Sequence, residues 1–265
     1  VEALAQLGAK EVLLEYLSQK REIPDAVARF GEEAVENTAA RALSQWRTDD
    51  VYLFLKDCAQ KRMLSGVIEA LGKFERDESA EVLIRALEDD MCRPTAEEAL
   101  RRVAEKVKPV LLRAAHRKSN EAEEKPSERQ KRRCVLRILT EMRLSKQEWE
   151  ELRPLLHDED KPIALTAALI AVKASSLEEK REAARFLIRS FSQAHWFLQM
   201  QVQDCLRRNY DSVRDVIAKE AAARRLLVRG EPLSDPMLRF LVHLQSTEGK
   251  PPEGMECHGS RKDAT

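Results

Sequence analysis

The sequence predicts an all-α protein, an α-solenoid of stacked helical hairpins. Three observations predict it. The first is composition: only 8 Gly and 10 Pro in 265 residues, 5% aromatics and 35% charged residues, the signature of long helical stretches. The second is a recurring core of an apolar pair, a cation and small or apolar residues: Leu83-Ile84-Arg85-Ala86-Leu87, Leu111-Leu112-Arg113-Ala114-Ala115, Leu152-Arg153-Pro154-Leu155-Leu156 and Leu187-Ile188-Arg189-Ser190-Phe191, with a weaker copy at Phe54-Leu55-Lys56-Asp57-Cys58. The third is a spacing: from the end of an Ala/Leu-rich run to the next cation is 14 residues (Leu71 to Arg85), 13 (Leu100 to Arg113) and 14 (Leu139 to Arg153).

Composition also sets exclusions. A sandwich or barrel needs Gly/Pro turns between β-branched runs, which are missing, and a hydrophobic share of 43% exceeds that of a disordered chain. No run reaches the roughly 18 to 20 apolar residues of a membrane span, and the first residues do not read as a signal peptide. The 46 basic and 46 acidic residues cancel, which argues against non-specific nucleic-acid binding by bulk charge. Cys58, Cys92, Cys134, Cys205 and Cys257 are odd in number and widely spread, reading as reduced, mostly buried thiols rather than a disulfide framework or zinc site. A reducing, cytoplasmic setting is expected.

Element by element, Val1 to Leu7 is a helix punctuated by Gly8, and Asp25 caps a short helix through Phe30. Ala39–Leu43, Val67–Gly72, Ala96–Leu100, Val135–Leu139 and Leu165–Leu169 supply the first helix (A) of each hairpin. The cation-bearing cores supply the second (B), their cations 29, 28, 40 and 36 residues apart. Apolar residues at i, i+3, i+4 and i+7 in each half mark amphipathic helix. One such hairpin cannot cover its own apolar stripe, and stacking completes the core. Pro94, Pro109 and Pro162 fall near expected helix starts, whereas Pro154 interrupts a B helix or marks its true start. Residues 118–128 read as an inserted polar loop, Ser234-Asp235-Pro236 opens a last helix through about Leu244, and 246–265 as a disordered polar tail. The expected organisation is one solenoid domain over 1–245. Because it starts inside a helix at Val1, it reads as a piece of a longer or processed chain.

The pattern resembles the HEAT-repeat family, in particular the short repeats also found in phycobilisome-lyase-like proteins. Leu83 to Asp89 matches that family's B-helix run, and Cys92-Arg93 keeps the cation that often opens its A helix, where Val35-Glu36 does not. The resemblance covers about residues 30 to 230. It implies a right-handed superhelix of about six HEAT-like hairpins whose B helices line a concave binding face.

No catalytic motif of specific spacing is present: no Walker loop, GxGxxG, HExxH or GxSxG. His116, His157, His195 and His243 are scattered singly, and Glu32-Glu33, Glu97-Glu98, Asp89-Asp90 and Asp158-Glu159-Asp160 read as solvated charge at helix starts and turns. No catalytic residue, metal ligand or cofactor is assigned. The candidate binding residues are the cations that helical geometry turns away from the seam. Lys56, Arg85, Arg113, Arg153 and Arg189 would form a basic ladder, with rungs about 10 Å apart. Arg85 has Glu81 and Asp89 one turn away and Arg153 has Glu150, while Arg113/Arg117 and Arg185/Arg189 are positive pairs without an acidic neighbour on their own helix. A second basic run, Arg129 to Arg133, opens a helix against the macrodipole, pairing with the acidic loop before it or with a partner. Trp46, Trp149 and Trp196 fall at helix ends, as packing residues or as aromatic anchors.

The leading functional expectation is a non-catalytic scaffold that binds a protein partner through the concave face. The alternative is a nucleic-acid-backbone binder of the kind found among HEAT-like DNA-repair glycosylases. A bilin-lyase-like enzyme would rest on fold analogy alone.

Overall fold

The structure, a computed structural model, describes residues 1–19, 21–117, 124–227 and 235–247. Among them are fourteen α-helices and no strand: α1 (Glu2–Gln6), α2 (Lys10–Ser18), α3 (Ala26–Leu43), α4 (Asp49–Lys61), α5 (Ser65–Phe74), α6 (Ala80–Ala86), α7 (Arg93–Ala115), α8 (Pro126–Glu141), α9 (Lys146–Leu152), α10 (Lys161–Ala174), α11 (Leu177–Ser190), α12 (Trp196–Arg208), α13 (Tyr210–Leu227) and α14 (Pro236–Ser246). Short 3-10 turns at Asp77–Ser79, Arg153–His157 and Phe191–Gln193 punctuate them. No helix among the described residues is long and apolar enough to cross a membrane. The chain divides into two compact units, one ending at Leu144 and one beginning at Ser145.

The helix starts follow the sequence signals. Asp25 caps α3 by accepting from the Ala28 N–H at 2.6 Å, and Asp160 caps α10 through the Ile163 N–H at 3.1 Å. Pro94 and Pro162 sit in first turns, where no N–H is needed. Pro154 opens the 3-10 turn Arg153–His157, so the segment after α9 changes helix type. Asp235 caps α14 through the N–H groups of Met237 (2.8 Å) and Leu238 (3.1 Å) and pairs with Arg224 at 2.7 Å. Burial works against the Asp235 charge, but the Leu238 N–H and Arg224 outweigh it and hold its carboxyl below the usual range. Its contribution is therefore present above pH ~4 and is lost as pH falls through the lowered folded value. Asp235→Ala should cost about 1–2 kcal/mol, and the difference from wild type in a urea titration should shrink as the pH is taken below ~4.

Two expected hairpin boundaries are corrected. The helix capped by Asp25 does not stop at Phe30 but runs through Gly31 to Leu43 as one element. More consequentially, Ala96–Leu100 and Leu111–Ala115 are not two helices across a turn. They lie on the single 23-residue α7, with Pro109 inside it. Ala96, Leu100, Val103, Val107, Leu111 and Ala115 form one uninterrupted buried stripe, while Pro109 faces solvent. An internal Pro costs ~3 kcal/mol. Burying this stripe outweighs that, since each large apolar side chain contributes about 1.5–3 kcal/mol.

In the first unit α3, α5 and α7 pack in one row, and α2, α4, α6 and α8 in a second against it. Here α4 packs on the following α5, and α6 on the following α7, so the pairing is offset by one helix from the A-then-B reading. The first row is close-packed: a Cβ on Gly66 of α5 would lie 2.2 Å from the Asn37 carbonyl oxygen of α3. The Asn37 side chain accepts the Gly66 N–H at 2.7 Å, so the contact is hydrogen-bonded as well as tight. The second unit centres on α10, buried on nearly all sides from Ile163 to Val172. It is surrounded by α9, the Arg153–His157 turn, α11 and α12, while α13 joins α11 to α14.

Candidate functional site

A cavity of the first unit, about 400 Å³, opens between α6, the C-terminal end of α7 and the start of α8. It gathers Arg85, Arg113 and Arg117 from the expected ladder together with Lys131 and Arg132, against Glu81, Glu88, Glu124 and Glu128. Ile84, Val110 and Ala114 add an apolar wall. Arg113 reaches it from α7, in the other row from Arg85 on α6. The two cations therefore meet at a helix end rather than as rungs on successive B helices.

The ionic floor of the cavity is internally satisfied. Arg132, 2% exposed, donates to both Glu124 carboxylate oxygens (3.0 and 3.1 Å) and, through Nε, to the Ala115 carbonyl at 2.9 Å. Lys131 pairs with Glu88 across the α6–α8 contact. Within the basic run 129–133, Arg129 and Arg132 thus turn to Glu124 and Lys131 to Glu88. Of the expected loop 118–128, residues 118–123 lie outside the described residues, Glu124 is buried and Pro126–Glu128 are the first turn of α8. Lys131 and Arg132 lie in the basic run Arg129 to Arg133, for which pairing with the acidic loop or with a partner is expected. Their positions three or four residues before Val135 put them on the backward extension of that helix's apolar stripe, a readable signal. Glu124, in the acidic loop, is the expected kind of partner for Arg132, whereas Glu88, 43 residues from Lys131, lies outside that loop.

The rim differs. Among the described residues the Arg85 side chain makes one hydrogen bond, from Nη2 to the Ala59 carbonyl at 2.6 Å, and no ion pair with Glu81 or Asp89. Arg113 is exposed, and its guanidinium makes no hydrogen bond or ion pair among the described residues. Arg117 lies on the same rim and has contacts of its own. Lys56 is half-buried on α4, its ammonium 5.9 Å from the Tyr52 ring centroid.

The rungs of the second unit are neutralised. Arg153, on the 3-10 turn, lies 3.4 Å from Glu150 and 3.5 Å from Glu179. Hydrogen bonds from the Ser176 side chain, opposed by partial burial, hold the Glu179 carboxyl below the usual range, with Arg153 adding to the effect. Arg185 and Arg189 are not an uncompensated pair. Glu220 of α13, 7% exposed, takes Arg189 at 2.8 Å and Arg185 at 3.8 Å. The acid arrives from the next hairpin, which inspection of α11 alone does not reveal. Arg153, His157, Glu179, Glu182 and Phe186 line a cavity of about 520 Å³ in this unit, and its cation is already paired.

Glu97 corrects the expectation of a solvated carboxylate pair. It is buried in α7 and accepts from Arg101 and Arg137, both at 2.6 Å, pinning α8 to α7. The tryptophans divide. Trp149 is fully buried, Trp46 half-buried after α3, and Trp196 70% exposed at the start of α12 beside Phe197 and Met200. Burial pushes the thiols up, Cys58 to about 11 and Cys92 and Cys205 to about 12, so these cysteines are protonated packing residues near neutral pH. Cys257 and the tail from 248 lie outside the described residues. Among the described residues no group of three or more His, Cys, Asp or Glu side chains could hold a metal ion.

No protein family matches the chain, and no curated protein matches it in sequence.

Proposed function

We propose that the chain is a scaffold that binds a protein partner, with about six hairpins stacked in right-handed, HEAT-like fashion and the partner seated on the face formed by α6, α7 and α8. The observation that carries this reading is the make-up of the cavity there: the guanidinium groups of Arg85 and Arg113, without an acidic partner among the described residues, beside an apolar wall and four carboxylates. Mixed charge around an apolar centre suits a protein surface, where polar rims surround apolar anchors. It suits a polyphosphate backbone poorly, because the carboxylates would repel it. Neutralisation of Arg153, Arg185 and Arg189 supports confining the proposed contact to the first unit.

Cross-linking mass spectrometry in a lysate of the cells that express the protein tests this. Lys125, exposed beside the cavity, should link to one recurrent protein. Links scattered over both units with no recurrent protein, or capture of nucleic acid that fades as salt rises, would contradict it.

A further inference from the structure

We propose that the α6–α7–α8 cavity receives one acidic side chain, flanked by an apolar one, from a segment of the protein partner. This rests on the scaffold reading above and adds the chemistry of the segment. The cavity's volume, about 400 Å³, accommodates a few side chains rather than a folded element. Its deep ions are spoken for, Lys131 by Glu88 and Arg132 by Glu124, so a ligand has to be recognised at the rim.

There Arg113 offers all five guanidinium donors and Arg85 offers those not used on the Ala59 carbonyl. Glu81 is a rim acid without an ion pair, leaving two cations to one carboxylate among the rim groups that lack an ionic partner. One added carboxylate balances the rim. The planar fork of a guanidinium matches a carboxylate in a two-point contact, and such charge-assisted bonds are about twice as strong as neutral ones. Beside Arg113, Val110 and Ala114 of α7 with Ile84 of α6 give an adjoining apolar surface. A Leu or Val next to the acid would bury against it, contributing roughly 1.5–3 kcal/mol when fully covered. Nucleic acid is the disfavoured ligand. Successive phosphates need a run of cations, and Glu81, Glu88, Glu124 and Glu128 line this cavity.

The test is NMR of the full chain, following the Arg113 Nε–Hε signal and the Ile84 and Val110 methyls. The probes are N-acetyl-Leu-Glu-Leu-amide, its Gln counterpart and a ten-nucleotide oligothymidylate. The Glu peptide should move all three signals together and saturate at about 1–10 mM, the range for a small ligand with one good ionic contact. The Gln peptide should bind at least ~10-fold more weakly. Arg113→Gln should abolish the response without lowering the thermal midpoint, because the wild-type side chain holds no partner. Arg153→Gln, in the other unit, should leave the response unchanged. Equal response to the Gln peptide, a stronger response to the oligonucleotide, or none at ~50 mM peptide, well above that range, would overturn the proposal. If the peptide is silent while cross-links still map to α6–α8, the acidic-segment proposal falls and the scaffold reading stands. If the peptide binds but no protein cross-links, the scaffold reading falls and the cavity remains a site for acidic side chains.

Discussion

Gly66→Ala should destabilise the first unit by about 3–5 kcal/mol, combining overpacking of a tight core with loss of a part-buried hydrogen bond. The new methyl would lie 2.2 Å from the Asn37 carbonyl oxygen and 2.6 Å from its Cα. These are backbone atoms of another helix and cannot rotate aside. Relieving the clash means prising α5 from α3, which breaks the bond between the Gly66 N–H and the Asn37 side chain, now 2.7 Å. A midpoint lower by roughly 10–15 °C is expected for a unit of this size, read by circular dichroism or calorimetry. A midpoint unchanged within ~2 °C, corresponding to well under 1 kcal/mol, would mean that the two helices are not in contact at this glycine.

Arg132→Ala should cost a similar amount, about 3–5 kcal/mol, because it strands a buried carboxylate. Glu124 keeps Arg129 at 3.6 Å, and this longer, more exposed contact does not replace two direct bonds. The Ala115 carbonyl at the end of α7 also loses its donor. The informative companion is Arg132→Met with Glu124→Leu, which removes both charges and keeps the volume. It should recover most of the loss, since apolar replacements of buried ion pairs are often neutral or stabilising. If the double variant is as unstable as Arg132→Ala, the cost lies in the α7–α8 junction itself and not in an orphaned charge. Thermal and urea unfolding of the three proteins separates these outcomes.

Local signals in the sequence carried the all-α class and most helix starts. Asp25, Asp235, Pro94 and Pro162 act at the positions read for them, because capping depends only on neighbours a few residues away. What failed depended on partners far along the chain. The 13 residues from Leu100 to Arg113 equal the hairpin spacing elsewhere, yet here they run about 20 Å along one helix at 1.5 Å per residue. Spacing alone cannot separate a turn from a continuous helix when the apolar stripe keeps its phase through a solvent-facing proline. The neutralised rungs of the ladder are illegible for the same reason. Glu220 lies 31 residues from Arg189 and Glu179 lies 26 residues from Arg153 (179 − 153), outside the i±3 and i±4 window used to judge neutralisation. Burial of Trp149 and exposure of Trp196 follow from which face of each helix meets a neighbour, and both tryptophans look alike as helix-end residues.

With Arg153, Arg185 and Arg189 neutralised, recognition is expected to concentrate at Arg113 and its neighbour Arg85. The most direct measurement compares the affinity of the cross-linked partner for wild type, Arg113→Gln and Arg153→Gln. A loss of at least ~10-fold is expected for Arg113→Gln, the scale of an interface hot spot. Arg153→Gln removes only an exposed, internally paired cation and should stay within about twofold of wild type. Equal losses from both substitutions, or a loss confined to Arg153→Gln, would contradict it.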